Sequence, residues 1–193
     1  MKLPEIILGS GSPRRKQLLT EMGFQIEVCA LDIDESYPET LHCEEVASFI
    51  ANQKMSVLKQ IKEDSSILLT ADTTVISGNQ LLGKPRDVDN AKNMLNQLSG
   101  KTHFVNTSVV LCYQGNTEKI SCFTEVYFNV LNDQQIEYYI SNFQPFDKAG
   151  SYGIQDWIGL VAINKIQGSY TNVVGLPTDE CFASVQKLLN TQI

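Results

Sequence analysis

Apolar and polar positions alternate along this chain in blocks that read as strands and helices in turn. A short apolar run, Leu3-Pro-Glu-Ile-Ile-Leu8, predicts a strand at 3–8, and a helix follows at about 13–22. A second strand is expected at 25–30. A long helix is expected at 43–61, with Val46, Ala47, Ile50, Val57, Leu58 and Ile61 on one face. The nearly continuous apolar segment Ile67-Leu-Leu-Thr-Ala71 fits a strand covered on both sides; it passes Asp72 and continues to Ile76. Ser77-Gly-Asn79 turns the chain toward a short partner strand, and Asp87 caps a helix ending near Gly100. Residues 102–113 and 118–130 predict two long strands joined across Gln114-Gly-Asn-Thr117. Asn132-Asp-Gln-Gln135 is a capping box opening a helix to about 142. A loop over 144–151, a last strand near 158–166, a turn at 168–172 and a terminal helix from Thr178 complete the order. The expected architecture is α/β: a mixed, strongly twisted sheet with flanking helices, in two lobes around a cleft, within one domain spanning 1–193.

Composition narrows the function classes. With 193 residues, 42% hydrophobic and 19% charged, the chain has the make-up of an ordinary globular protein. A net charge of -7 argues against a broad hold on nucleic acid, which needs a basic face. No run approaches the roughly 18 apolar residues of a membrane span, and Ile6-Ile-Leu8 is too short for a signal peptide. The five cysteines are scattered without a C-x-x-C pair and read as buried thiols of a cytoplasmic protein. Only His42 and His103 are present, which removes multi-histidine zinc sites. His103, in an alternating segment, reads as a packed strand histidine, and His42 as the start of a helix. Any metal would be held by oxygen, as magnesium or manganese is.

The chemistry concentrates in a few places. Gly9-Ser-Gly-Ser-Pro-Arg-Arg15 carries an apolar strand into small residues and then two guanidinium groups. Ser12 suits a helix cap and Pro13 the first turn, so the spare N–H groups and Arg14 and Arg15 suit an anion. The competing reading is a surface turn with a solvated basic pair. The loop lacks the Gly-Lys-Ser/Thr of a P-loop and the third glycine of a dinucleotide fingerprint. Asp72 interrupts an apolar strand, where a charge is costly unless paired, metal-bound or exposed to a ligand. A structural aspartate bonded to nearby backbone is the alternative. Asp32, Asp34 and Glu35 form a second acidic group, which by itself reads as a solvated loop. Lys54 by itself reads as a surface residue, and Lys84 and Lys148 as loop cations. Together they supply the cations and carboxylates for metal-assisted attack on a polyphosphate.

Six stretches resemble, in order, the motifs of the Maf family of nucleoside triphosphate pyrophosphatases, whose fold is related to that of inosine triphosphatases. They are Ser10-Gly-Ser-Pro-Arg-Arg15, Ala71-Asp-Thr-Thr-Val75, Gly83-Lys-Pro85, Leu98-Ser-Gly-Lys-Thr-His103, Asp147-Lys-Ala-Gly-Ser-Tyr-Gly-Ile-Gln155 and Asn172-Val-Val-Gly-Leu-Pro177. The resemblance implies hydrolysis between the α and β phosphorus atoms, giving a monophosphate and pyrophosphate. It implies Ser10, Arg14, Arg15, Lys54 and Lys84 as phosphate contacts, Asp72 as proton acceptor, and Glu35 with Asp72 as holders of Mg2+, Mn2+ or Co2+. Arg14, Thr73 and Gln155 match positions linked to base selection in the branch that cleaves dTTP and UTP. Thr73 and the loop backbone are the expected neighbours that orient the Gln155 amide. The alternatives are the same chemistry on 7-methyl-GTP or another modified nucleotide, or a non-catalytic nucleotide-binding regulator of septum formation. The expected partner is a nucleoside triphosphate, with a homodimer as the candidate assembly and no stable nucleic acid or membrane association. Two positions depart from the pattern: Asp156 stands where a glycine commonly follows the glutamine, and Ser108 replaces a usual glycine.

Overall fold

The computed structural model describes residues 3–63 and 65–190. Its sheet is mixed, with the strand order β2-β1-β3-β5-β6-β7 and β4 paired to β3. The parallel part is β1 (Glu5–Leu8) beside β2 (Gln25–Val28) and β3 (Ile67–Ser77). Here β1 is linked to β2 by helix α1 (Pro13–Glu21), while α2 (Cys43–Ile61) precedes β3. Antiparallel pairs join β3 to β4 (Gln80–Leu82), and β6 (Asn116–Phe128) to β7 (Ile163–Gln167). Strand β5 (Thr102–Tyr113) meets β6 across Gln114-Gly115, both with positive φ (46° and 81°). That is the two-residue turn whose twist matches a hairpin.

The chain condenses into two compact units, with boundaries after Asp72, Asn106, Cys122 and Val174. In the first unit successive residues of β1 and β3 face opposite ways. Ile6, Leu8, Ile67 and Leu69 pack with Leu19 of α1 and with Val185 and Leu188 of α7 (Thr178–Asn190). Ile7 and Leu68 pack instead with Ala51, Met55 and Leu58 of α2. In the second unit one core gathers Val75, Val105, Val126 and Phe128 with Leu95 of α3 (Val88–Leu98) and Ile136 and Tyr139 of α4 (Asp133–Phe143). Caps read from the sequence are present. Asp87 accepts from Asn90 N at 2.7 Å, and Asn132 and Gln135 form the reciprocal box.

Several expectations need correction. The strand expected at 158–166 is a short helix, α5 (Trp157–Ala162), followed by β7. Ile158 and Ala162, four apart, are buried while Leu160 is 85% exposed, which is a helical rather than an alternating pattern. The β-branched and aromatic run disguised it. The turn expected at 168–172 gives way to a helical turn, α6 (Tyr170–Val174). The loop at 144–151 holds two 3₁₀ turns, Pro145–Asp147 and Ala149–Ser151. On α2, Ile61 is exposed and Val57 half-buried; the covered face runs through Val46, Ala47, Ile50, Ala51, Lys54, Met55 and Leu58. All five cysteines are free, but only Cys112 and Cys181 are buried, the other three being partly covered.

His103 is a packed strand residue. It is buried between Phe128 and Tyr152, with Nε2 2.7 Å from the Tyr152 hydroxyl. Burial pulls its pKa down to about 4, so it is neutral at physiological pH. His42 is the N-cap of α2.

Gly159 is fixed by a close approach, because a Cβ there would lie 1.8 Å from the Ile154 carbonyl oxygen. No rotamer relieves a clash with backbone. Gly159→Ala is expected to destabilise the fold by more than about 3 kcal/mol, read as the shift of the urea unfolding midpoint at constant m.

Candidate active site

The first unit brings Ser10, Arg15, Glu35, Lys54 and Asp72 together beyond the end of β1 and beside the middle of β3. Past Leu8 the ladder continues for one bond, Gly9 N donating to Leu69 O at 2.8 Å. A Cβ on Gly9 would stand 2.8 Å from Thr70 Cγ2 and 3.0 Å from Leu58 Cδ2. Core packing by itself therefore requires a glycine here. The chain then turns. Ser12 N donates to Ser10 Oγ at 3.3 Å, Ser12 Oγ accepts from Arg15 N at a long 3.5 Å, and Pro13 opens α1. The N-terminal turn of α1 thus faces back onto the loop.

Arg15 is nearly enclosed and works as a clamp. Its Nη1 donates to Ser10 Oγ at 3.0 Å and to Ala71 O at 2.9 Å, and its Nε donates to Gly175 O at 2.9 Å. Three segments far apart in sequence are held by one guanidinium. Burial lowers its pKa from the ordinary arginine value, Asp72 opposes that, and the charge of half-buried Arg14 adds to it.

Asp72 lies nine-tenths buried on β3, and α2 supplies its counter-ion. Lys54 Nζ is 2.8 Å from Asp72 Oδ1 and 2.7 Å from Glu35 Oε1. The lysine that reads as a surface residue is therefore 7% exposed. Its place four residues after Ile50 and four before Leu58 puts it on the covered stripe. Of the acidic run 32–36, Glu35 alone has an ion pair with Lys54. Asp34 turns back on its own loop, accepting from Ser36 N and Oγ at 2.9 and 2.8 Å. Loss of hydration is the largest influence on Asp72 and raises its pKa above the usual carboxylate value. The charges of Lys54 and then Arg15 pull the other way without cancelling it.

Thr73, Lys84 and Gln155 belong to the second unit. Thr73 is half-buried on β3, Lys84 is exposed between β4 and α3, and Gln155 is exposed just before α5. The same unit contains polar features that the sequence reading did not connect. Tyr139 donates to Asp156 Oδ2 at 2.7 Å, and Lys148 Nζ lies 2.8 Å from Asp147 Oδ1. Ser151 is fully buried with φ of 62° and its hydroxyl without a partner, and Thr74 Oγ1 is likewise buried and unpaired. The tyrosine was legible only as an apolar-face residue of α4. Its hydroxyl's partner lies 17 residues on.

Among the described residues no three His, Cys, Asp or Glu side chains gather as a ready-made cation cage. The residues that could hold a divalent cation are Asp72 and Glu35, whose carboxylates already converge on one positive charge, that of Lys54. Two carboxylates, with water and a bound polyphosphate completing the shell, match how magnesium is held, so this donor set fits.

A parallel β1-loop-α1 unit with clustered arginines, and a buried lysine-carboxylate group on the middle of β3, define a phosphate-handling α/β protein. The chain belongs to the Maf-like protein family, whose model matches residues 5–188. It is 43% identical over 191 residues to a dTTP/UTP pyrophosphatase of Christiangramia forsetii, covering 99% of this chain and 97% of the relative. A dTTP/UTP pyrophosphatase of Flavobacterium psychrophilum is 47% identical over 178 residues, 92% of this chain and 91% of its own length. One of Phocaeicola vulgatus is 45% identical over 185 residues, 95% and 96% of the two chains. Among the described residues no helix is long and apolar enough to cross a membrane.

The raised pKa of Asp72 has a signed consequence for stability. A carboxyl with its folded pKa above its unfolded value favours the fold below the unfolded pKa, and that contribution is lost as pH rises through the folded pKa. Asp72→Asn removes this penalty. The stability of the variant relative to the wild type is expected to rise as pH increases from below the ordinary carboxylate range to above the folded pKa of Asp72. Urea unfolding of both forms across that range checks the sign.

Proposed function

We propose that this protein is a nucleoside triphosphate pyrophosphatase that hydrolyses dTTP and UTP to the monophosphate and pyrophosphate. The observation that carries the reading is the buried Lys54 ammonium held between Asp72 and Glu35 beside the Arg15 clamp. Burying such a group is costly for stability, and the cost makes sense where a carboxylate must be kept basic near a cluster of cations. The names and identities of the relatives support the substrate class.

In this reading Ser10, Arg14, Arg15, Lys54 and Lys84 receive the triphosphate oxygens. Arg15 also keeps Ser10 in place through its Nη1 bond. A water oxygen attacks the α phosphorus, the bond from that phosphorus to the bridging α–β oxygen breaks, and pyrophosphate departs with the bonding pair. Asp72 takes the proton lost by the water. A pKa raised above the ordinary value of about 3.9 makes it a better base than a solvated aspartate. Glu35 and Asp72 would hold a divalent cation, Mg2+, Mn2+ or Co2+, which when bound offsets the charge gathering on the departing pyrophosphate. Arg14, Thr73 and Gln155 select the base, Gln155 by pairing its amide with O4 and N3–H of uracil or thymine. The activity is assigned to the whole chain acting as one domain in the cytoplasm, where free thiols are stable.

Two outcomes are expected. Purified protein with UTP or dTTP and magnesium releases one monophosphate and one pyrophosphate per turnover, with orthophosphate and pyrophosphate assayed separately, and chelation abolishes the reaction. Primary release of orthophosphate and a nucleoside diphosphate would show a different cleavage. Asp72→Asn keeps the size of the side chain and removes its basicity, so kcat is expected to fall by about two orders of magnitude or more. Near-normal turnover of that variant at saturating metal would leave Asp72 a structural residue.

A further inference from the structure

The loop that presents Gln155 is anchored by a tyrosine-carboxylate pair. Tyr139, on the buried face of α4, donates its hydroxyl hydrogen to Asp156 Oδ2 at 2.7 Å and accepts from Gly153 N at 3.1 Å. Burial, and after it Asp156, raise the Tyr139 pKa, so the hydroxyl stays a donor and Asp156 the acceptor. The Asp156 side chain is 16% exposed, with Lys148 Nζ 3.7 Å from the same Oδ2. Asp156 N closes the turn on Gly153 O at 3.0 Å. This carboxylate therefore has a fixed position at the start of α5.

The Gln155 amide lies over the same backbone atom. A Cβ on Gly153 would be 2.7 Å from Asp156 Oδ2 and 2.7 Å from Gln155 Nε2. The amide nitrogen and the carboxylate oxygen are thus within about 5.4 Å of each other, on a residue with no side chain to separate them. Gln155 itself is exposed, so the end of its side chain has room to turn and meet the carboxylate.

A primary amide has two N–H donors on one end and a carbonyl on the other, and the two ends are nearly equal in shape. Turned with Nε2 toward Asp156, it gives one hydrogen to the carboxylate and has the other for O4 of uracil or thymine. Its carbonyl then accepts N3–H. Turned the other way, it would suit cytosine, which offers a donor amine at C4 and an acceptor at N3. That orientation sets the amide carbonyl against a carboxylate, and the two negative ends repel.

We propose that Asp156 is a positioning residue for base selection, its carboxylate holding the Gln155 amide in the orientation that reads uracil and thymine and rejects cytosine. This rests on the reading of Gln155 as the base-selecting residue given above. Asp156, rather than Thr73, is then the neighbour that decides which way the amide points.

The test is kcat/KM for UTP, dTTP and CTP in the wild type and in the Asp156→Asn, Asp156→Gly and Gln155→Ala variants. Asp156→Asn keeps an oxygen at the Oδ2 position, toward both Tyr139 and Gln155, and removes the negative charge that repels the reversed amide. With the repulsion weakened, the CTP value is expected to rise and the UTP:CTP ratio to fall at least threefold. Asp156→Gly removes both oxygens at a cap position that tolerates glycine, and is expected to lower the ratio at least as far. A purely structural Asp156 would lower all three substrates together. If Gln155→Ala collapses the ratio while both Asp156 variants leave it within twofold of the wild type, the inference is overturned and the Gln155 reading stands. If the wild type shows no preference for UTP over CTP, or Gln155→Ala leaves the ratio unchanged, both are overturned.

Discussion

The site depends on the burial of a charge. Asp72 is placed in the middle of a strand whose neighbours Thr70, Ala71 and Val75 are themselves buried, where water solvates it poorly. A carboxylate in that position needs an adjacent cation, and the nearest element able to supply one is α2. The helix meets that need at a cost, giving up one position of its covered stripe to Lys54. The same ammonium then draws in Glu35 from a loop whose other two acids, Asp32 and Asp34, are exposed. Arg15 adds a second buried cation, tied to backbone carbonyls on Ala71 and Gly175. Attraction from these cations does not outweigh the lost hydration, so the carboxyl is left more basic than it would be in water. A structure that only sought stability would replace the group with well-packed apolar side chains.

The fold was largely legible because its signals are local. Alternation, caps and turn residues mark β1, α1, β3, α3, the β5–β6 hairpin and α4 to within a few residues. The misreadings fall where local signals conflict with packing. Trp157-Ile-Gly-Leu-Val-Ala162 has the composition of a strand, yet Gly159 sits against the Ile154 carbonyl and the segment coils. Lys54 was hidden for a related reason: a charged residue on an amphipathic helix is assigned to solvent unless its buried partner, 18 residues away, is known. The site residues whose partners lie nearby in sequence, such as Ser12 capping Arg15, could be read directly. Those with distant partners, Arg15 on Gly175 and Tyr139 on Asp156, could not.

The first unit is built from both ends of the chain. Ile6 and Leu8 share a core with Leu176, Val185 and Leu188, and Arg15 reaches a carbonyl 160 residues further on. A nascent chain emerging from the ribosome therefore carries the Gly9–Arg15 loop without the atoms that fix it, and apolar β1 without its cover. The loop's final shape has to wait for residues 160 positions further on, so closure of this core is a late, long-range event in folding. Truncation within α7 would then uncover Ile6, Leu8 and Leu19, which share a core with Val185 and Leu188.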